Sequence, residues 1–332
     1  MKKVNATKKI TLLIGAVLML AFAAGCAGTD KKAEAPKPEA AKIVKVRYSS
    51  FGGLNGLVAK FGKEKGFFNE DGLDVEFVEI DNPIAGLTSG DVDIADTATT
   101  NAIIGAGRGA PIKIVASMFR TKGPFYLIAQ PDIKSVEDLK GKKIGVSTFG
   151  NGMDVYTRII LKKHGLDPNK DVTLIANGSY QKALASLETK QVDATIIHEP
   201  FVSFGEASGK AKLLVRGWDY LPNFHTGVLT ASDKIIKEQP EAVAKVLKAY
   251  FKSQEYAKSH LDEYLDYAAK KTNLDKEVLK KAFAREIVLW ENNPNVDIAT
   301  LNDTQQIQLE LGFQDKIYDV GKMVDLRFIP KK

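Results

Sequence analysis

The chain has 332 residues and carries 47 basic against 41 acidic side chains. Four of the lysines lie within the first nine residues, and without them the excess of positive charge is only two. The remaining basic residues are scattered over predicted helix faces, which argues against a basic track for nucleic acid. A single cysteine, Cys26, excludes disulfides within the chain and cysteine chemistry in the rest of it.

The first 25 residues are typical of an export signal. Residues 1–9 carry lysines and no acid, residues 10–23 are apolar or small apart from Thr11, and two small residues follow. The apolar run is shorter than the roughly 20 residues that span a membrane. We therefore predict a signal peptide over residues 1–25.

The residues around Cys26, LMLAFAAGC, resemble the lipobox of bacterial lipoproteins. That resemblance implies cleavage before Cys26 and attachment of lipid to its sulfur. The alternative is an ordinary signal peptide with an incidental cysteine. Residues 29–42 are rich in Ala, Lys, Glu and Pro and lack large apolar side chains. We therefore predict a lipidated cysteine and a disordered tether over residues 26–42.

The rest of the chain contains an internal repeat. The pattern Ala-x-Leu-x4-Val-Asp occurs over residues 85–93 and again over 185–193, and Ser-Ser-Phe-Gly at 49–52 is matched by Ser-Thr-Phe-Gly at 147–150. Each Phe-Gly pair follows a strand-like run and precedes a helix-like stretch. Alternating strands and helices predict mostly parallel sheets with helices on both faces, and hence an α/β fold of two lobes. Roughly 290 residues is also large for one core.

Two segments are predicted to carry the chain between the lobes, residues 125–131 and 225–231. They place the first part of lobe one at residues 43–128, lobe two at 129–224, and a mainly helical completion of lobe one at 225–332. In this last part Pro240 fits the first position of a long helix with one apolar face.

Ligands of open α/β sheets bind beyond the carboxyl ends of the strands. With the lobes facing each other, one cleft is lined by loops 50–53, 81–83, 96–101, 148–152, 177–180 and 198–201. Several of these loops are rich in Gly, Ser, Thr and Asn and open helices, where free backbone N–H groups bind anions. Helix capping alone is the competing interpretation. The residues assigned to the ligand are Ser50, Phe51, Gly52, Asp96, Thr97, Thr99, Thr148, Phe149, Gly150, Asn151, Gly152 and Glu199.

Two carboxylates lie at these strand ends. Glu199 and, at the matching place in lobe one, Asp96 are expected to bind an amine or a hydroxyl of the ligand. A structural ion pair with an arginine is the alternative for Glu199. Trp218, Tyr220 and Phe224 cluster near the return crossing, where they either stack on a ligand or pack the hinge.

Motifs of common enzymes are missing. The sequence has no P-loop, no glycine-rich dinucleotide turn between a strand and a helix, and no nucleophile elbow. Its four histidines show no paired metal spacing. We therefore predict no catalytic residue, no metal and no cofactor.

The chain resembles the type II substrate-binding proteins of ABC importers, in the group that includes binding proteins for aliphatic sulfonates, taurine, nitrate and thiamine precursors. The resemblance covers residue 43 to about residue 250 and is carried in chain order by KEKGFFNEDGLDVEFV, LTSGDVDIADTATTNAI, GAPIKIVA, SVEDLKGKKIGVSTFGNG, VDATIIHEPF and QPEAVAKVLKAY. It maps the family's ligand loops onto residues 50–53, 96–100, 148–152 and Glu199. One departure is His198, since a tryptophan or another large residue is common before the Glu-Pro pair.

The resemblance implies a two-lobed, periplasmic-binding-protein-like type II fold with two hinge crossings. It also implies an exported monomer, anchored by lipid to the outer face of the bacterial cytoplasmic membrane or periplasmic. Such a receptor delivers a small-molecule ligand to an ABC permease and its ATPase, without catalysis and without nucleic acid.

The ligand class stays open between two chemistries. Hydroxyl-rich helix starts suit a sulfonate or a similar oxyanion, and Asp96 and Glu199 suit an amine on the same molecule, as in taurine. The competing ligand is an uncharged heteroaromatic vitamin precursor, of thiamine-pyrimidine or flavin type, stacked on Phe51, Phe149 or Trp218. Pyrimidine-synthase enzymes that resemble this fold depend on a cysteine-rich segment, which this chain lacks. The ligand-binding module of a sensor is a further alternative.

Overall fold

The computed structural model describes residues 43–119 and 122–331, which belong to one compact unit, Lys42–Lys332. The predicted signal peptide, Cys26 and the predicted tether lie outside the described residues. The unit contains two five-stranded sheets with helices packed against them. The predicted α/β class and two-lobed architecture are therefore confirmed.

The first sheet has the strand order β2-β1-β3-β10-β4. Strand β1 is parallel to β2 and β3, while β10 is antiparallel to both of its neighbours. The strands are β1 (Val44–Ser49), β2 (Leu73–Phe77), β3 (Ile94–Ala98), β4 (Ile112–Phe119) and β10 (Gly227–Ser232). The helices between its first four strands are α1 (Gly53–Glu64), α2 (Pro83–Ser89) and α3 (Thr99–Gly107).

The second sheet repeats this arrangement with the order β7-β6-β8-β5-β9. Strand β6 is parallel to β7 and β8, and β5 is the antiparallel strand. The strands are β5 (Tyr126–Ala129), β6 (Lys143–Gly145), β7 (Thr173–Ile175), β8 (Ala194–Ile197) and β9 (Lys212–Arg216). Its helices are α4 (Gly152–Lys163), α5 (Tyr180–Glu188) and α6 (Phe201–Ala207). The internal repeat of the sequence is thus a repeat of sheet topology.

The chain passes between the sheets twice, from β4 to β5 and from β9 to β10. The two segments predicted as crossings overlap the strands that follow each passage, β5 and β10. Each is a buried antiparallel strand in its sheet, which explains the apolar run at residues 125–131. The two predicted hinge crossings are confirmed.

After β10 the chain is helical. The helices are α7 (Asp233–Glu238), α8 (Pro240–Ser259), α9 (Leu261–Thr272), α10 (Lys276–Glu286) and α11 (Ile298–Glu310). Helix α8 starts at Pro240 and buries its apolar face in a core shared with α1, α9, α10 and the first sheet. Within the described residues, no helix is long and apolar enough to cross a membrane.

Helix α11 and the residues that follow it contact both lobes. Leu301 packs with Ile103 and Val228 of lobe one, whereas Ile307 and Phe313 pack against the core of lobe two. The C-terminal part of the chain therefore does more than complete lobe one, because it also lies across lobe two. The apolar positions of α11 face two different cores, so its sequence shows no single apolar face.

Candidate functional site

The two lobes touch at the carboxyl ends of their parallel strands. A methyl group placed on Gly52, in the loop after β1, would lie 3.3 Å from the ring of Tyr180 in lobe two. One residue beyond Gly53, the backbone N–H of Leu54 donates to the carbonyl oxygen of Glu199 at 3.5 Å. The loops after β1, β7 and β8 therefore meet at one edge, as the repeat predicts.

Further contacts extend this meeting point into a continuous surface. The Tyr180 ring stacks on His198 with centroids 4.5 Å apart, and Phe125 meets the other side of His198 edge-on at 4.7 Å. A methyl group on Gly152 would lie 3.2 Å from the Phe125 ring. Thr226 lies beside Phe125 at Gly123, and its carbonyl oxygen accepts from the Thr99 N–H at 3.1 Å. We use the name cleft wall for these residues and their chain neighbours at the strand ends, namely Ser50, Phe51, Gly52, Gly53, Thr99, Thr100, Phe125, Gly152, Tyr180, His198 and Thr226.

Asp96 supports the cleft wall from behind. Its carboxylate is 1% exposed and accepts hydrogen bonds from the Tyr48 hydroxyl at 2.6 Å and the Phe51 backbone N–H at 3.0 Å. Burial raises the pKa of Asp96 to about 7, against the opposing effect of these two hydrogen bonds. Each carboxylate oxygen thus accepts a hydrogen bond from lobe one, and Asp96 holds the loop after β1 in place.

Glu199 is likewise engaged with protein groups. Its fully buried carboxylate accepts hydrogen bonds from the Ser203 backbone N–H and hydroxyl, both at 2.9 Å, and from the Arg285 guanidinium at 2.9 Å. Burial raises the pKa of Glu199, opposed by Ser203 and Arg285. The structural ion pair with an arginine, left open by the sequence, is the arrangement that the structure has.

The threonine hydroxyls at the end of β3 and the start of α3 differ in whether they have a hydrogen-bond partner. Thr97 donates to the carbonyl oxygen of Val228 at 3.4 Å, and the Thr99 hydroxyl lies 2.9 Å from Nδ1 of His225. The neighbouring Thr100 is 1% exposed, and its hydroxyl has no hydrogen-bond partner in the described part of the chain. Thr100 lies in the predicted cleft loop 96–101, although the residues assigned to the ligand do not include it.

The loop after β1 contributes a second hydroxyl of this kind. The oxygen of Ser50 is buried and has no hydrogen-bond partner among the residues that the structure describes. Phe51 beside it is half-buried against the core of lobe one. Ser50 thus keeps a hydroxyl that no described residue binds, whereas Phe51 packs against the core of lobe one.

In lobe two, the loop 148–152 is held by its own polar groups. Asn151 caps α4 by accepting from the Asp154 N–H at 3.1 Å, and Gly150 donates its N–H to Asp154 at 2.9 Å. Thr148 is exposed and Phe149 is 54% exposed. For Asn151, capping is therefore the observed role, while Thr148 and Phe149 stay accessible.

The starts of α1 and α3 differ from those of α4 and α5. No side chain caps α1 or α3, whose N-cap residues are Gly52 and Ala98, whereas Asn151 and Ser179 cap the two helices of lobe two. Uncapped N–H groups and the positive end of the helix dipole favour a bound anion. Lobe one therefore lacks side-chain caps at these two helix starts, where the Leu54 N–H donates to the Glu199 carbonyl oxygen and the Thr99 N–H to that of Thr226.

His198 is the polar group that lobe two adds to the cleft wall. Its side chain is 8% exposed, and Nε2 has no hydrogen-bond partner within residues 43–119 and 122–331. Burial lowers its pKa to about 3, so the imidazole is neutral at physiological pH. The assigned site residues do not include His198 or Tyr180, although both lie in predicted cleft loops.

The three aromatic residues near the return crossing pack against protein. Trp218 meets the Tyr126 ring edge-on at 5.3 Å, Tyr220 lies 2.7 Å from a ring nitrogen of His164, and Phe224 is 1% exposed. They pack against the hinge and lobe two, which agrees with the interpretation that they pack the hinge and not with stacking on a ligand. The described residues also hold no cluster of three His, Cys, Asp or Glu side chains suited to a metal ion.

Sequence relatives include binding proteins and enzymes. A Bacillus subtilis protein named as an aliphatic sulfonates-binding protein is 28% identical over 278 residues, which cover 81% of this chain and 82% of that protein. A 4-amino-5-hydroxymethyl-2-methylpyrimidine phosphate synthase of Saccharomyces cerevisiae is 30% identical over 245 residues, which cover 67% of this chain and 69% of that enzyme.

Among solved structures, the alkanesulfonate-binding protein SsuA of Xanthomonas axonopodis pv. citri, bound to MOPS, has the same fold. It superposes with a TM-score of 0.70 at 20% identity, covering 86% of this chain and all of that one. The described lobes thus form a periplasmic-binding-protein type of fold. The family model described as NMT1/THI5 like matches residues 57–264. The chain belongs to the NMT1/THI5-like family.

Proposed function

We propose that this protein is the extracytoplasmic solute-binding receptor of an ABC importer and captures a small organic anion between its lobes. The observation that carries the proposal is the cleft wall. There the hydroxyls of Ser50 and Thr100 have no partner within the described structure, and α1 and α3 begin without a side-chain cap. The sulfonate-binding relative supports the same ligand class.

Binding of this kind works through closure of the lobes. A ligand that contacts both lobes favours the closed state by its difference in affinity for the closed and open states. The closed form then presents surfaces of both lobes to a permease and its ATPase. The function needs one ligand per chain and no catalytic group, so a monomeric, non-enzymatic receptor is proposed.

The hydrogen bonds that Asp96 and Glu199 already make to protein groups argue against a ligand that carries an amine. Asp96 is bound by Tyr48 and Phe51, and Glu199 by Ser203 and Arg285. A ligand amine therefore finds neither of the two partners that the sequence offers it. We propose a sulfonate with an uncharged organic part in preference to a zwitterion such as taurine.

A heteroaromatic ligand is the second candidate. It is favoured by the accessible Phe149, 54% exposed, and by the aromatic side chains Tyr180 and Phe125 on the lobe-two side of the cleft wall. The pyrimidine phosphate synthase among the relatives fits this alternative. Its enzymatic form is less well supported, because the sole cysteine of the chain is Cys26.

A thermal-shift screen of the purified protein tests the ligand class. Ethanesulfonate at 100 times its dissociation constant should add about 2.7 kcal/mol to the free energy of unfolding. Taurine at the same concentration should give a smaller shift, because its ammonium group has no partner. A larger shift with taurine, or shifts only with pyrimidines or flavin precursors, would contradict the proposed ligand.

We also propose that the mature protein is anchored through lipid on Cys26, on the strength of the LMLAFAAGC segment. Replacing Cys26 with alanine should move the exported protein from the membrane fraction to the soluble fraction. Ligand affinity should not change, because the unit that contains the cleft wall begins at Lys42. A Cys26→Ala protein that is exported and still sediments with membranes would rule out the anchor.

A further inference from the structure

His198 is a buried polar side chain with an unused hydrogen-bonding atom at the site of the proposed function. Its ring is more than nine-tenths buried, yet Nε2 meets no hydrogen-bonding group of the described residues. A buried polar atom without a partner costs free energy, so it points to a group that is supplied from outside the chain.

The orientation of this imidazole is fixed by its neighbours. Tyr180 stacks on one face with the two ring planes 18° apart, and Phe125 approaches edge-on at an interplanar angle of 85°. Tyr180 also faces Gly52 of lobe one across the cleft. The ring is thus held in place at the boundary between the lobes by packing, without a polar contact at Nε2.

His198 is neutral, so its role differs from that of the groups proposed to bind the oxyanion. Its burial keeps the imidazole neutral, so it offers a directional hydrogen bond without a positive charge. The unengaged hydroxyls of Ser50 and Thr100 and the uncapped ends of α1 and α3 all belong to lobe one. His198 belongs to lobe two, so a ligand whose oxyanion lies on lobe one directs its organic part toward His198.

We propose that His198 is a specificity-determining residue, whose Nε2 hydrogen-bonds to an uncharged polar atom in the organic part of the ligand. The preferred substrates are then organic sulfonates that carry a hydroxyl group or a comparable neutral polar atom, and not plain alkanesulfonates. This inference rests on the proposed function. It adds a reason for lobe closure, because one such ligand makes hydrogen bonds to both lobes.

The test compares two ligands that differ by one hydroxyl group, 2-hydroxyethanesulfonate and ethanesulfonate. Calorimetric titration of the full-length exported protein should show about tenfold tighter binding of the hydroxylated ligand, the effect of one net hydrogen bond. In His198→Phe this ratio should fall to about one, because phenylalanine fills the same slot without a hydrogen-bonding atom. His198→Gln should keep part of the preference and serves if the phenylalanine variant does not fold.

Thr100→Val is the matched control on the opposite lobe. It removes a hydroxyl assigned to the oxyanion, so both ligands should bind more weakly by a similar factor and their affinity ratio should stay near that of the unchanged protein. Equal weakening of both ligands by His198→Phe would place His198 at the oxyanion and overturn the inference. Equal affinities for the two ligands in the unchanged protein would overturn it as well.

Failure of the inference is distinguishable from failure of the proposed function. If the unchanged protein binds both sulfonates with equal affinity, the proposed receptor function is supported and the proposed role of His198 in specificity is wrong. If it binds neither sulfonate but binds a pyrimidine or a flavin precursor, the sulfonate proposal itself is overturned, and the inference with it.

Discussion

Replacing Arg285 with glutamine should lower the free energy of unfolding at neutral pH by about 3–5 kcal/mol, the range for removing one partner of a buried ion pair. Arg285 lies on α10 with its side chain 24% exposed, and it reaches Glu199 and Glu206 of lobe two at 2.9 and 2.7 Å. Its loss leaves the fully buried Glu199 carboxylate with hydrogen bonds from Ser203 alone. Chemical unfolding followed by fluorescence measures the change.

The effect should depend on pH in a defined direction. Without Arg285, the pKa of the Glu199 carboxyl rises further above its ordinary value, so the folded variant keeps a proton that the unfolded chain loses. The destabilisation should therefore be smaller near pH 5 and grow as the pH rises toward 7.5.

Two control variants distinguish loss of the buried ion pair from loss of an arginine in general. Arg327→Gln removes an arginine that is 62% exposed and pairs with Asp325, so it should cost less than about 1 kcal/mol. The double variant of Arg285→Gln with Glu199→Gln should recover stability relative to Arg285→Gln, because no charge is then left unpaired. Similar losses of unfolding free energy in Arg285→Gln and Arg327→Gln would show that the ion pair between Arg285 and Glu199 stabilises the fold no more than an exposed pair does.

Replacing Gly53 with alanine should weaken ligand binding at least tenfold. Gly53 opens α1 with φ of +73°, and a methyl group there would lie 2.7 Å from the carbonyl oxygen of Glu199 across the cleft. That contact is shorter than atoms tolerate, so the lobes must separate to relieve it. If the closed state becomes tenfold less populated, the apparent dissociation constant rises by the same factor.

Gly66 supplies the matched control for Gly53. It has a φ of +84°, so alanine there suffers a similar backbone strain, of about 1 kcal/mol, but no atom lies within 4 Å of the added methyl group. Gly66→Ala should therefore lose stability without losing affinity. Titration calorimetry measures the ligand affinity of both variants. Equal affinities of Gly53→Ala and Gly66→Ala would show that the close approach of the lobes at Gly53 does not affect binding.

Much of the fold follows from local patterns in the sequence. The repeated segments at 85–93 and 185–193 cover the later parts of α2 and α5 and the turns that lead into β3 and β8, which occupy equivalent places in the two sheets. Parallel strands joined by helices bring the carboxyl ends of the strands to one edge, so the loops of the cleft could be located before any contact was known. What remained open was the use of each polar side chain within those loops.

Asp96 and Glu199 show why that question needs the tertiary structure. Asp96 is bound by Tyr48, 48 residues away, and Glu199 by Arg285, 86 residues away. No local pattern connects either pair, since hydrogen bonds between distant residues depend on how helices and strands pack. The same holds for α11, which contacts both lobes without a single apolar face in its sequence.

Three features follow from the amino-acid sequence: the export signal pattern, the repeated order of strands and helices, and the edge at which the lobes meet. These features depend on residues close together in the chain, through periodicity, turn residues and the rules of parallel connection. The tertiary structure alone decided which polar groups satisfy one another. Asp96 and Glu199 are engaged by distant partners, whereas Ser50, Thr100 and His198 keep buried atoms that no described residue binds. The physical reason is that burial and long-range pairing, which set whether a polar atom is available to a ligand, exist only in the folded chain.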